Sequence, residues 1–312
     1  MKLRDVGEDR LLEQLVSKLR LRRDVILGAG DDCALVDSGK RGVLDVLKTD
    51  CLVEAIHFAK SARPELVGWK AIARPLSDFA AMSAVPRFAL VTLIAPAQRE
   101  LTWVRALYRG IEKAARAFDV SVVGGETSNI KGPAAISVAV TGCVEKTRWV
   151  ARAGGKPGDE LFVTGRLGGS LRGHHLEFVP RIAESRWLTE NFRVHAMMDL
   201  SDGLGTDLPR LARASHVGFE IDERALPRNS GCTIAQAISD GEDYELLFAL
   251  SPDDSRSLLS RWKKRFPSVP LTRIGGLNRR NAARGASEAG LSKSKIENRK
   301  SEKFPRGYVH FR

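Results

Sequence analysis

Carboxylates beside small residues recur along this chain, in Gly30-Asp31-Asp32, Lys48-Thr49-Asp50, Ser77-Asp78, Gly124-Gly125-Glu126-Thr127, Asp199-Leu200-Ser201-Asp202-Gly203 and Asp240-Gly241-Glu242-Asp243. The small neighbours let the backbone turn tightly and add compact oxygen donors. Such hard donors suit Mg²⁺, which takes one or two carboxylates and completes its shell with water and phosphate. Taken singly, an Asp beside Gly or Ser is most often a cap or a turn residue. Repeated six times, the pattern suggests acidic loops and strand ends serving several metals on one polyphosphate. The commoner phosphate-binding devices are absent. There is no GxxxxGK[ST] loop, Gly28-Ala29-Gly30 lacks the later glycine of a dinucleotide fingerprint, and the protein-kinase motif set is missing.

The elements that must position these groups alternate between strand and helix. Val43 to Leu47 and Phe88 to Ile94 are short β-rich runs. Between Gln98 and Phe118 the apolar residues Leu101, Val104, Leu107, Tyr108, Ile111, Ala115 and Phe118 recur at helical spacing with one buried face. A strand ends in Val122-Val123-Gly124-Gly125, and Ile136, Val138 and Val140 alternate as in a half-buried strand. The Gly- and Pro-bearing run from Arg152 to Asp159 reads as a loop. After it the alternation resumes, with strands at Glu160–Thr164, Val217–Ile221 and Tyr244–Leu250 and helices starting near Asp207 and over Pro252–Phe266. This divides the chain into domains 1–146 and 147–312.

Composition narrows the class. Hydrophobic residues are 43% and charged residues 28% of 312, an ordinary globular mix. No run of eighteen apolar residues occurs, and Asp5, Glu8, Asp9 and Glu13 stand where a signal peptide would be apolar, so neither a membrane span nor secretion is expected. Cys33, Cys51, Cys143 and Cys232 lie far apart without a CxxC, which suits a reduced cytoplasmic protein. The net charge is +12; nine Lys/Arg and three Glu between Arg279 and Arg306 give +6, half of it. The 279–303 stretch reads as a solvated, poorly ordered segment. No aromatic residues are interleaved with its basic ones, so nucleic acid is disfavoured as the partner. A basic surface also attracts phosphorylated substrates.

Seven segments, in order, resemble the signatures of the thiamine-monophosphate kinase family. They are Gly28–Leu35, Lys48–Phe58, Leu76–Ala84, Gly124–Thr127, Ala151–Asp159, Asp199–Leu204 and Gly241–Leu246, together spanning roughly residues 25 to 250. The resemblance implies an α+β fold of two α/β-sandwich domains, shared with aminoimidazole-ribonucleotide synthetase and selenophosphate synthetase. It also implies a homodimer formed through the N-terminal sheets, with ATP near the subunit interface. Carried over position by position, Asp32, Thr49 (through its backbone), Asp50, Asp78, Glu126, Asp199 and Asp202 would hold several Mg²⁺ ions. Gly125, Arg152 and Ser201 would contact ATP, and His57 and Glu242 would face thiamine phosphate. Within the run after Asp240, Asp243 or Glu245 could take the place of Glu242. The implied reaction is transfer of the γ-phosphoryl group of ATP to thiamine phosphate, metal-assisted and in line, with no protein residue acting as catalyst. Three departures accompany the likeness. Glu126 replaces the usual Asp with a side chain one methylene longer. The Gly165–Asp199 stretch looks short. Phe304 or Pro305 stands where a tryptophan usually stacks on thiamine, and Phe304 becomes the candidate aromatic face.

Three other readings remain open at this point. A selenophosphate or aminoimidazole-ribonucleotide synthetase would share the fold, although the Gly-rich N-terminal segment lacks the reactive Cys or selenocysteine of the former. A non-catalytic binding protein would have to explain why Asp50, Asp78, Asp199 and Asp202 persist, since buried carboxylates are costly without partners. A nucleic-acid binder is the third.

Overall fold

The computed structural model describes residues 3–6 and 8–280. The chain divides into two compact units. One contains Arg23–Trp149 and Gly173–Arg186; the other contains Val150–Arg172 and the described parts of Met1–Arg22 and Trp187–Arg312. Phe304 and nearly all of the basic 279–303 segment lie outside the described residues.

After the short helices α1 (Leu3–Val6) and α2 (Glu8–Val16), the first unit is built from β1 (Val25–Leu27), β2 (Ala34–Val36), β3 (Val43–Val53), α3 (Pro64–Ala81), β4 (Val85–Ala95), α4 (Leu101–Ala117), β5 (Ser121–Asn129) and β6 (Ala135–Glu145). Its strands form a six-stranded sheet in the order β1-β2-β3-β6-β4-β5, and β4 and β5 are its parallel pair. Strand alternation decides which residues are covered. Leu44, Val46 and Leu52 of β3 and Ile136, Val138 and Val140 of β6 join Ile72, Leu76 and Phe79 of α3 and Leu107 and Ile111 of α4 in one core. The opposite register row leaves Leu47, Phe88, Leu90 and Val123 exposed. Helix α3 gave no amphipathic signal in the sequence because it is buried nearly all round, from Val67 to Ala81.

The second unit contains β7 (Glu160–Thr164), β8 (Val194–Asp199), α6 (Leu204–Ala214), β9 (Gly218–Ile221), α7 (Ile234–Ser239), β10 (Leu246–Leu250), α8 (Pro252–Arg265) and β11 (Leu271–Asn278); α5 spans Ile182–Asn191. Its five strands run β8-β10-β7-β11-β9, with every neighbour antiparallel. All of β10 is buried, so its apolar run has no polar alternation. Leu247 and Ala249 pack with Leu204, Leu208 and Leu211 of α6. Phe248 stacks on Phe162 with ring centroids 5.6 Å apart. Trp262 of α8 meets Trp187 and Phe266 at 5.9 and 4.9 Å.

Helices α3 and α4 approach so closely that no side chain fits at Gly110. A Cβ there would lie 1.9 Å from the Glu65 carbonyl oxygen. In a free helix, Gly→Ala would add about 1 kcal/mol of stability. Here the clash is with backbone, and overpacking typically costs about 1–3 kcal/mol. Gly110→Ala should therefore lower the urea midpoint of unfolding. A stability gain would show that the two helices are not in this contact.

Candidate active site

In the first unit β3 is the organising strand. Its alternation turns Lys48 and Asp50 toward α3, whereas Thr49 takes the exposed register row and its Oγ1 lies 3.5 Å from Ser137 Oγ. Asp78 is not at a strand end or turn, as its sequence setting suggests, but in the last turn of α3. Asp50 likewise sits within a strand. From α3, Asp78 pairs with Lys48 Nζ at 3.0 Å, and Arg74 Nε stands 3.8 Å from Asp50 Oδ1. Asp32 follows the turn before β2, is 1% exposed, and places a carboxylate oxygen within 4.8 Å of one on Asp78.

The electrostatics follow from this crowding. Burial alone would lower the pKa of the Lys48 ammonium, but Asp78 and Asp50 beside it raise it above the ordinary lysine range. The neighbouring Cys33 thiol is pushed well up, first by burial and then by Asp78, and so stays protonated. Asp50 Oδ2 is buried and accepts no hydrogen bond among the described residues. An oxygen in that state is costly unless something cationic completes it. A hard divalent cation suits the oxygen set of Asp32, Asp50 and Asp78.

The other expected residues of this unit lie apart. Glu126 is exposed on β5, with Oε1 accepting from its neighbour Thr127 N–H at 2.8 Å. The strand order places it three interstrand spacings from β3, roughly 14 Å. Within this unit, therefore, the sheet does not bring Glu126 to Asp50. Gly125 admits no side chain, because a Cβ would fall 1.8 Å from the Val91 carbonyl oxygen. His57 Nδ1 accepts from the Val53 N–H at 3.0 Å, and its carbonyl accepts from Lys70 Nζ at 2.8 Å, which fixes the ring against the end of β3.

The second unit has its own carboxylate set. Asp199 ends β8 and is 2% exposed. The 199–203 and 240–245 segments are stitched by backbone bonds: Glu242 N–H to Ser201 O at 2.7 Å, and Tyr244 N–H and Leu200 N–H to Leu200 O and Glu245 O, each at 2.8 Å. Glu242 and Tyr244 both adopt the left-handed conformation (φ +62° and +52°), a strain of order 1–3 kcal/mol each that packing must offset. The side chain of Asp202 pairs with Arg210, while its N–H donates to Asp207 Oδ2 at 2.9 Å. Asp207 is fully buried, and burial followed by Asp202 raises its carboxyl well above the usual range. The Arg152 carbonyl accepts from Ser215 Oγ at 3.0 Å, tying the 152–155 loop to the residue after α6.

Sequence reasoning missed Lys48, Arg74, Asp207 and Arg210. For the last two a signal existed: an acid and a base three apart in the first turns after Asp202-Gly203. Asp243, between the two strained residues, accepts from Gly168 N–H at 3.0 Å and from Ser170 Oγ at 2.8 Å. Burial pushes its carboxyl up to about 7 against the pull of those donors.

Residues 30–144 match the family described as AIR synthase related protein, N-terminal domain, and residues 156–265 match its C-terminal domain. The thiamine-monophosphate kinase of Rhodopirellula baltica is 37% identical over 97% of each chain. A solved structure described as AaThiL complexed with AMPPCP and TMP is 30% identical, with a TM-score of 0.81 over 99% of each chain. The thiamine-monophosphate kinase of Stenotrophomonas maltophilia superposes with a TM-score of 0.70 at 30% identity, covering 87% of this chain and 94% of its own.

The Asp243 carboxyl binds its proton more tightly folded than unfolded, where an Asp titrates near about 3.9. Between about pH 4 and 7 the native state thus holds the extra proton, and the contribution of this group to stability falls as pH rises. The stability of the wild type relative to Asp243→Asn should drop by about 2–3 kcal/mol from pH 5 to 7.5 in urea titrations. A flat difference would mean that Asp243 is ionised throughout.

Proposed function

Because this chain belongs to the thiamine-monophosphate kinase family of AIR synthase related proteins, we propose that it passes the γ-phosphoryl group of ATP to thiamine phosphate, giving thiamine diphosphate and ADP. The observation that carries this reading is the close approach of the Asp32 and Asp78 carboxylates, with Asp50 beside the same Lys48 and its Oδ2 oxygen buried and without a donor among the described residues. The acceptor is already an anionic phosphate oxygen, so no strong general base is required. The obstacle is repulsion between two polyanions, and positioning together with charge neutralisation lowers it.

Asp32, Asp50 and Asp78 in the first unit, and Asp199 and Asp202 in the second, would hold Mg²⁺, with the Thr49 backbone and Glu126 as further ligands. Bound Mg²⁺ neutralises phosphate charge and orients the phosphoryl oxygens. The remaining work belongs to the chain itself. Lys48 and Arg74 limit repulsion among the carboxylates and keep them in place. Gly125, whose missing side chain lets β5 pack against the Val91 carbonyl, would contact ATP through its backbone, and Arg152 and Ser201 would contribute a fork and a hydroxyl to ATP. His57 and Glu242 are held by β3 and by the strained 242–244 turn, which suits them to orient the acceptor.

A homodimer formed through the first sheet would cover the apolar row of Leu47, Phe88, Leu90 and Val123, which are 42–58% exposed in one chain. A cytoplasmic setting fits the four free cysteines. Among the described residues, no helix is long and apolar enough to cross a membrane.

Incubation with ATP, Mg²⁺ and thiamine phosphate should yield thiamine diphosphate on chromatography, and failure to form it would remove this reading. Asp50→Asn and Asp78→Asn should each lower kcat by about 10²–10³ with an unchanged circular dichroism spectrum. A variant that keeps most of its activity at saturating Mg²⁺ would mark that residue as structural. Glu242→Gln should raise KM for thiamine phosphate and leave KM for ATP nearly unchanged, whereas equal effects on both would remove it from the acceptor site.

A further inference from the structure

The second unit carries a cavity of about 410 Å³ that none of the carboxylate chemistry uses. Arg166, Pro227, Arg228, Asn229 and Ser230 line it, and Gly231 forms part of its rim. Arg172 reaches the same rim, its Nη1 lying 3.8 Å from where a Cβ on Gly231 would stand. None of these three arginines pairs with a carboxylate among the described residues. That is notable in a unit whose other arginines include Arg210 and Arg273, both in ion pairs.

Two of the arginines are nevertheless held. Arg166 Nη1 donates to the Arg228 carbonyl at 3.3 Å, and Arg228 Nη1 donates to the Cys232 carbonyl at 3.0 Å. Each guanidinium has five N–H donors, so anchoring by one leaves most of the fork for a ligand. The backbones that carry them are stitched as well. Leu167 N–H donates to Pro227 O at 2.7 Å, Asn229 N–H to Leu167 O at 3.0 Å, and Asn229 Nδ2 to Gly168 O at 2.8 Å. The spacing of Arg166 and Arg228 is therefore set before any ligand arrives, which reduces the ordering cost of binding.

From this geometry we propose that the Arg166–Arg172–Arg228 cavity is an anion site for a phosphoryl group, separate from the acidic residues that would hold Mg²⁺. Planar guanidinium forks match phosphate oxygens bidentately, and the volume suits a small phosphorylated molecule. The loop behind the cavity links it to the candidate acceptor segment, since Gly168 and Gly169 N–H donate to Asp243 and Asp240. A phosphoryl group seated on the arginines would steady Gly165–Ser170 and, through these bonds, the strained turn at Glu242.

Inorganic phosphate, titrated calorimetrically into the full chain in EDTA at low ionic strength, isolates this site, because metal-free carboxylates repel anions. Against a chloride control of equal ionic strength, saturable binding is expected. The double variant Arg166→Gln/Arg228→Gln should bind about tenfold more weakly or worse, and Arg166→Lys should fall between it and the wild type. All three arginines are exposed, so the spectrum and Tm of the variants should match the wild type. Non-saturable heats, or phosphate binding undiminished in the folded double variant, would overturn the proposal. Thiamine phosphate and thiamine form the second arm. Arginine-dependent binding much tighter for thiamine phosphate than for inorganic phosphate would identify the acceptor as the source of the phosphoryl group. Equal affinities would identify a site for the phosphate group alone.

Discussion

Like charges confined away from water are the constraint around which the first unit is arranged. Asp32 and Asp78 bring carboxylate oxygens within 4.8 Å of each other at 1% and 7% exposure. If both are ionised, their repulsion is on the order of 3 kcal/mol at an effective dielectric constant of about 20. Lys48 offsets part of this through its 3.0 Å contact with Asp78. A protein with no use for that charge would gain by replacing these residues with apolar ones of similar size. Their presence, together with the unsatisfied Asp50 oxygen, is what a binding site for cations and phosphates looks like from the side of the protein.

The same constraint explains the supporting structure. Carboxylates that repel one another must be fixed by elements that cannot relax, and here they stand on the middle of β3 and the last turn of α3. Gly110 lets the backbones of α3 and α4 come into direct contact at Glu65, which fixes α3 on that side. In the second unit the 199–203 and 240–245 segments hold each other by backbone bonds, and the strain at Glu242 and Tyr244 is offset by the buried anchor of Asp243 between them. The acidic groups are thus positioned by backbone geometry more than by side-chain reach.

Strand alternation in β6 and the helical period of α4 are readable from the sequence because each buries one face only, whereas β3 shows only as the short run Val43 to Leu47 and in fact continues to Val53. Helix α3 is not readable, since a helix covered all round shows no polar stripe. The carboxylates were visible as residues beside Gly, Ser and Thr, but their faces were not. Adjacent positions in β3 point Thr49 and Asp50 to opposite sides, and strand order, which no local pattern encodes, separates Glu126 from Asp50 by three spacings. In the sequence Lys48 is only part of a motif, Asp207 marks only a helix start and Arg210 carries no signal of its own, because their importance arises from partners distant in sequence or one helical turn away. Phe304 lies outside the described residues, so the aromatic face for thiamine rests on the sequence alone.

The central claim is that buried Asp32 and Asp78, with Asp50 and its buried Oδ2 beside them, bind divalent cations alongside nucleotide. Electron paramagnetic resonance of Mn²⁺, titrated into the protein with a non-hydrolysable ATP analogue, counts bound ions without relying on turnover. The account predicts more than one tightly bound Mn²⁺ per chain in the wild type, and the loss of at least one in a folded Asp78→Asn variant. An unchanged count and affinity in that variant would contradict it.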